Sequence, residues 1–335
     1  MRINDILNET VNEAVSVTQY EDIVEQAVRS GISQSMIELA GQKGQFSQEE
    51  NELATSARSS PLHNKFNQIF TTFLESKIST QLRVKISREI GMPVPTAVSF
   101  ETTPANTKGF ADGTEILLTN RYSKKLSSLI IENLFNAVIS SYSEDELLDS
   151  LYFTCKMYAS GDKQIVYVVN KGTETLIDNI VSTVLHELVH VIQHHKQASR
   201  PSTEYRSYLD KKKGEFSTLH DKADSGNLSD VEKARYYHLY LASPQEMAAF
   251  AHEMAMYIIR GYDLNRTRNV EDIPKFSEED IVDAVKSFVH DRFRDPKNAK
   301  EYTVFKRYIK LVYQELDRYV DLLRKRLDQK KKSSP

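Results

Sequence analysis

The chain contains one cysteine, Cys155, and no tryptophan. A lone cysteine excludes an intramolecular disulfide and any cysteine-rich metal site. A reducing compartment is compatible with this scarcity, because disulfide-stabilised proteins concentrate in oxidising compartments.

An excess of charge of one sign is also lacking. The 44 basic residues nearly balance the 47 acidic residues, which leaves a net charge of −3. Basic residues form only local runs, at residues 211–213 and 330–332. We therefore expect neither nucleic acid nor an anionic membrane surface as a partner.

The sequence has no long uninterrupted apolar run. The first residues lack the apolar region of a signal peptide, and no stretch approaches the roughly 18 apolar residues that a membrane span needs. We expect a soluble protein with no membrane partner, cytoplasmic or otherwise not exported through the Sec pathway. Packaging in a virion would leave no trace in the sequence.

Glycine and proline are scarce too, with 11 and 9 among 335 residues, and the long segments show helical periodicity. We predict an α+β fold, helix-dominated, with a small sheet. The predicted regions are an N-terminal helical region at residues 1–92, a central domain at 93–265 and a C-terminal helical region with a basic tail at 266–335. The predicted helices cover residues 3–30, 61–90, 123–141 and 244–260, with two more within 277–328.

Three short segments have the composition of strands: residues 95–103, 114–119 and 164–169. Gly172 follows the third segment and is expected to end it. A long apolar helix is then predicted from about Glu174.

Residues 186–190, His-Glu-Leu-Val-His, can bind a metal ion and supply a general base. On a helix, His186 and His190 lie one turn apart on the same face, so both imidazoles can bind one metal ion. Glu187 lies about 100° further around the helix axis. It is therefore beside the metal, where a general base must be. The apolar residues 176–185 predict a buried helix, and a bound dication would compensate the cost of burying these polar side chains.

Catalytic zinc usually takes three protein ligands and a water molecule, so a third ligand is needed. His194 lies about 12 Å further along a straight helix, which is too far. Glu246 is the preferred candidate, because small residues after it would allow its helix to approach the first closely. The same segment, Ser243 to Glu246, is also a capping box. Glu253, seven residues on, is either an alternative ligand or a hydrogen-bond partner of a ligating histidine, and His252 ranks last.

This arrangement resembles the gluzincin branch of zinc metallopeptidases. It consists of the motif at residues 186–190, a loop-rich insert, and Pro-Gln-Glu at 244–246 before an Ala-rich helix. The resemblance covers about residues 160–260. It implies a zincin-like metallopeptidase domain at residues 93–265. It also implies Zn²⁺ bound by His186, His190 and Glu246, with Glu187 as the general base. It also implies a peptide or protein substrate lying along the edge strand at residues 164–169. Thermolysin-like enzymes have an aspartate four residues after the third ligand, where this chain has Phe250.

The oxyanion of peptide hydrolysis needs a hydrogen-bond donor besides the metal. Tyr236, Tyr237, His238 and Tyr240 are candidates, and Tyr205, Tyr208 and His220 are candidates for lining a substrate cleft.

Two other functions fit the same residues. The first is a non-proteolytic structural or particle-associated protein, such as a phage component, that retains a zincin-like core. The second is a metal-dependent hydrolase of another bond, such as an ester. An accessible fourth metal position beside a peptide-length cleft would favour the peptidase over both.

Overall fold

The computed structural model describes most of the helical and strand segments of the chain. The described residues are 17–41, 61–86, 97–103, 108–112, 115–138, 147–199, 218–219, 222, 227–232, 235–236, 239, 244–260, 276–277, 281–284 and 299–333. Within these ranges the protein is dominated by helices and contains a three-stranded sheet, which confirms the α+β prediction at this level.

The chain divides into two compact units. Tyr20–Val184 forms one, called here the sheet unit. Met1–Gln19 together with Leu185–Pro335 forms the other, called here the helical unit. The predicted division into regions 1–92, 93–265 and 266–335 stays a prediction.

Two long helices form the centre of the sheet unit. Helix α1 spans Glu21–Gly41, and α2 spans Pro61–Gln81 and continues as a π-helical turn over Leu82–Ile86. The buried residues of α2 recur at steps of four: Phe66, Phe70, Leu74, Ile78 and Leu82. They pack on the buried face of α1, in agreement with the helix predicted over residues 61–90.

The sheet has the order β1-β3-β2, with β1 at Ala97–Glu101, β2 at Gly109–Asp112 and β3 at Glu115–Thr119. Strand β1 pairs with β3 in parallel, and β2 pairs with β3 antiparallel. Helix α2 covers the outer edge of β1. Ser79 Oγ accepts a hydrogen bond from Val98 N at 2.8 Å, and Glu75 accepts one from Phe100 N at 2.6 Å. These side chains replace a neighbouring strand and protect that edge from pairing with another chain.

Helices α3, Asn120–Val138, and α4, Leu147–Ala159, complete this unit together with the first part of α5, which spans Lys163–Ser199. Helix α3 agrees with the prediction for residues 123–141, and β1 and β3 agree with the first two predicted strands. The third predicted strand, residues 164–169, is wrong: these residues form the first turns of α5. The same finding overturns the prediction that this helix begins near Glu174.

The residues before this segment explain the error. Gly161 has φ of +83° and ends α4 with a Schellman arrangement, in which Asp162 N donates to Met157 O at 2.9 Å. The Asp162 side chain then caps the next helix, because its Oδ1 accepts hydrogen bonds from Gln164 N and Ile165 N at 3.1 and 3.0 Å. The capping residues and the helical spacing of the buried positions outweigh the β propensity of the valine-rich run.

Gly172 lies inside α5 and does not end a secondary structure element. A Cβ atom at this position would come within 2.0 Å of the Asn133 side chain on α3. The glycine therefore serves the close packing of α5 on α3 and has no role in chain reversal.

Part of α5 is apolar enough to cross a membrane by length and composition. That window lies within Lys163–Gln193, has a mean hydropathy of 1.3 and is 72% buried inside the protein. Such burial is also found in the core helices of soluble proteins, so this helix gives only weak support for a membrane span.

In the helical unit, α6 spans Pro244–Arg260 and packs on α7, Ala299–Ser333. Proline opens α6 at the position where its missing N–H costs nothing, as the sequence predicts. The apolar face predicted for the last helix is buried at Phe305, Ile309, Val312, Leu316 and Val320. The apolar face predicted at the N-terminus, from Ile3 to Val15, lies outside the described residues.

Candidate metal centre

Helix α5 brings His186 and His190 together one turn apart. Their ring centroids are 5.1 Å apart, with the rings inclined by 72°. The neighbouring Leu185, Leu188 and Val189 are completely buried. The apolar neighbours thus hold the helix in a core, while the two imidazoles lie side by side on one face.

Helix α6 adds Glu246 from its first turn. Glu246 Oε2 lies 3.4 Å from His190 Nε2 and 3.7 Å from His186 Nε2. One potential ligand atom from each of the three residues falls in a cluster in which all separations are within 4.8 Å. The structure therefore brings together the three residues predicted as ligands in a group that could hold a metal ion.

The separations within this group fit a metal ion better than direct hydrogen bonding. Both exceed the usual N–H···O range of about 2.7–3.2 Å. Ligand atoms placed about 2.0–2.2 Å from a tetrahedral ion lie about 3.4 Å from one another. Glu246 Oε2 is also buried and has no hydrogen-bond partner among the described residues. A buried carboxylate oxygen without a hydrogen bond is costly, and a bound cation would satisfy it.

Two further residues of α6 contact the His186 ring. Phe250 meets it edge-on, with ring centroids 4.8 Å apart. Glu253 Oε2 lies 3.7 Å from His186 Nδ1, the ring nitrogen that does not approach Glu246. Glu246 and Glu253 therefore approach the same imidazole from its two different nitrogens.

Neighbouring charges outweigh burial in setting the pKa values of Glu246 and His186. Burial alone would raise the pKa of Glu246, but the adjacent imidazoles of His186 and His190 lower it to about 2. Burial would lower the pKa of His186, yet the carboxylates of Glu246, Glu187 and Glu253 raise it above its ordinary value. Glu246 is thus an anion at neutral pH, as a metal ligand must be.

Glu187 is 6% exposed and follows His186 on the helix. Burial raises the pKa of its carboxyl group, and the nearby histidines only partly oppose that effect. A carboxylate with a raised pKa is a better proton acceptor near neutral pH than an exposed glutamate.

Helix α7 supports the turn of α6 that carries Phe250. The hydroxyl of Tyr308 on α7 donates a hydrogen bond to Phe250 O at 3.1 Å. Burial raises the pKa of Tyr308, so its hydroxyl keeps the proton that it donates. Sequence reasoning did not identify Tyr308 or the ring contact of Phe250. Residues 246, 250 and 253 are separated by four and three positions, a spacing which indicates that Phe250 shares a helical face with the two glutamates.

The other residues predicted for the site are His252, Tyr236 and several residues outside the described ranges. His252 lies elsewhere on α6, in a separate buried cluster with Thr18 and Glu315. Tyr236 lies in a helical turn. Tyr205, Tyr208, His220, Tyr237, His238 and Tyr240 lie outside the described residues, as does Ser243 of the predicted capping box.

No family model, curated protein or solved structure matches this chain.

Proposed function

We propose that this chain is a zinc-dependent metallopeptidase of the gluzincin type, with a zincin-like core. His186, His190 and Glu246 would bind the ion, and Glu187 would act as the general base. The observation that carries the proposal is the buried Oε2 of Glu246, which has no hydrogen-bond partner among the described residues. It lies 3.4 Å from His190 Nε2 and 3.7 Å from His186 Nε2.

The donor set favours zinc over Ca²⁺ and Mg²⁺. Two imidazoles and one carboxylate are typical of catalytic zinc sites, whereas Ca²⁺ and Mg²⁺ prefer oxygen ligands alone. Three protein ligands also leave a fourth position of a tetrahedral site for water or substrate. The side chains of His190 and Glu246 remain 18% and 20% exposed, which is consistent with access to that position.

Bound zinc would lower the pKa of a water molecule toward about 7 and polarise the carbonyl group of a substrate. Glu187 would accept the proton of the attacking water and deliver it to the leaving amine. Its place next to His186 on α5 and its raised pKa support this role. The substrate would be a peptide or a protein.

The first experiment is elemental analysis of purified, metal-replete protein. Wild type is compared with His190→Ala and Glu246→Gln, and Glu232→Gln is the matched control because Glu232 is exposed and pairs with Lys222. We expect about one zinc ion per chain in wild type and in the control, and a strong loss of zinc in the other two variants. Circular dichroism checks that each variant is folded.

The other outcomes are informative. Zinc lost in His190→Ala but kept in Glu246→Gln would move the third ligand to another residue. Wild type without zinc would overturn the metallopeptidase proposal. Zinc-loaded wild type that cleaves no peptide in a diverse fluorogenic library would favour a structural, particle-associated role.

A further inference from the structure

Three successive turns of α6 contact the same imidazole. Glu246 approaches His186 at Nε2, Phe250 packs against the ring edge, and Glu253 approaches at Nδ1. The steps of four and three residues keep all three side chains on one face of the helix. The face of α6 that meets His186 is therefore formed by a carboxylate, an aromatic ring and a second carboxylate.

An imidazole can bind a metal through Nε2 only when the hydrogen of the neutral ring is on Nδ1. His186 is 8% exposed, so an Nδ1–H without an acceptor would be costly. Glu253 Oε2 lies 3.7 Å from Nδ1, about half an ångström beyond the usual hydrogen-bond range, so the two groups would have to approach by that amount to form the bond.

We infer that Glu253 is the positioning residue of this site: it accepts the Nδ1–H of His186 and so directs Nε2 toward His190 and Glu246. This inference rests on the proposed metal function. It answers a question that the sequence leaves open, namely whether Glu253 is a ligand or the partner of a ligand.

The geometry argues against Glu253 as a ligand of the same ion. The two nitrogens of an imidazole point away from each other, and Glu246 and Glu253 lie at different nitrogens of His186. An ion bound between His186 Nε2, His190 Nε2 and Glu246 therefore lies on the far side of the ring from Glu253. The carboxylate also polarises the imidazole and makes Nε2 a stronger donor.

Phe250 explains why the carboxylate at His186 Nδ1 is that of Glu253, two turns after Glu246 on α6. Phe250 lies four residues after Glu246, where its ring fills the space beside His186 with centroids 4.8 Å apart. The next position on the same face is that of Glu253. The Tyr308 hydroxyl holds the backbone of α6 at Phe250, which keeps this face in register with the histidine.

The test is the zinc dissociation constant, measured by competition with a chelator, for wild type, Glu253→Gln and Glu253→Ala. Removal of such a partner typically weakens metal binding by about 10–100-fold, and we expect this for Glu253→Ala. The amide oxygen of glutamine still accepts a hydrogen bond but carries no charge. Glu253→Gln should therefore lose less affinity than Glu253→Ala, and at least about 3-fold relative to wild type. This partial rescue would not follow from a purely structural role.

Glu315→Gln is the matched control. Glu315 is also a buried carboxylate that faces a histidine in the helical unit, but its partner is His252. Its substitution should reduce thermal stability and leave the zinc dissociation constant within about 2-fold of wild type. All constants are measured at a temperature at which every variant is folded. If Glu253→Ala does not fold, the isosteric Glu253→Gln supplies the comparison.

Two results would overturn the inference while leaving the metal site intact. One is wild-type zinc affinity in Glu253→Gln. The other is loss of zinc from Glu253→Gln together with full zinc content in Glu246→Gln, which would make Glu253 the ligand. Wild type that binds no zinc would instead refute the proposed function itself.

Discussion

The His186 imidazole shows how much one side chain can depend on its neighbours. Its two nitrogens face carboxylates that are seven residues apart on α6, and its edge meets Phe250. These contacts on three sides limit how far the buried ring can rotate. Restriction of this kind is what precise metal binding requires.

Glu187 is the residue on which turnover is expected to depend. Glu187→Gln keeps the size of the side chain but removes the proton acceptor, so it should leave zinc content unchanged. General-base catalysis typically contributes about 10²–10⁴-fold, and we expect a fall in kcat of that order. The measurement is peptide hydrolysis by zinc-loaded variant and wild type at equal zinc content. Activity close to wild type in the folded, zinc-loaded variant would refute the proposed mechanism.

At the scale of single elements, the contact between α1 and α2 depends on one small residue. A Cβ atom at Gly31 would lie 3.1 Å from Leu74 Cα and 3.3 Å from Leu74 N, which are backbone atoms that cannot move independently of the helix. The two helices therefore approach each other as closely as their backbones allow.

Gly31→Ala should destabilise the sheet unit. Overpacking costs about 1–3 kcal/mol, and the higher helix propensity of alanine returns about 1 kcal/mol, so a net loss of about 1 kcal/mol is expected. The midpoint of urea unfolding, followed by circular dichroism, measures it. Gly41→Ala is the control, because no atom lies within 4 Å of a Cβ at the end of α1. Equal midpoints for the two variants would contradict this account of the packing.

At the start of α5, the amino-acid composition favours a strand where the structure has a helix. Ile165, Val166, Val168 and Val169 favour a strand by composition, and Gly172 suggests a break. Gly161 and Asp162, just before them, carry the stronger information, because they end one helix and cap the next. Because residues 164–169 are helical, they are not the substrate-binding edge strand that the gluzincin resemblance implies.

At the scale of the whole molecule, the helical unit joins the two ends of the chain. Thr18 Oγ1 donates a hydrogen bond to Glu315 Oε2 at 3.0 Å, across 297 residues of sequence. His252 Nδ1 lies 3.4 Å from Thr18 Oγ1 and 3.6 Å from Glu315 Oε2, and Arg318 pairs with the same carboxylate. The histidine of this cluster, His252, directly precedes Glu253 on α6.

The cluster makes the stability of this unit dependent on pH. Burial alone would raise the pKa of Glu315, but His252, Arg318 and Thr18 lower it below its ordinary value of 4.5. A group whose pKa is lower in the folded state stabilises the fold above its unfolded pKa. That contribution is lost as the pH falls below about 4.5 and through the folded pKa.

Glu315→Gln should therefore be less stable than wild type at pH 7, by about 1–3 kcal/mol, because a buried charged hydrogen bond is lost. The difference should shrink as the pH falls below about 4.5, since wild type then loses the same carboxylate charge. Urea unfolding of both proteins between pH 7 and pH 4 measures this trend. A difference that stays constant over that range would show that the charge of Glu315 is not the source of the stabilisation.

Local sequence patterns were enough to predict that His186 and His190 share a helical face, that Glu187 lies beside them and that α6 begins at Pro244. Each depends on helical periodicity or on a local rule for helix ends, and such rules act within a few residues. The tertiary structure was needed to show that Glu246 and Glu253 face different nitrogens of one imidazole. Positions 246 and 253 share a helical face, so periodicity cannot separate their roles. The difference arises from how α6 packs against the end of α5, and that packing is set by contacts between residues far apart in the chain.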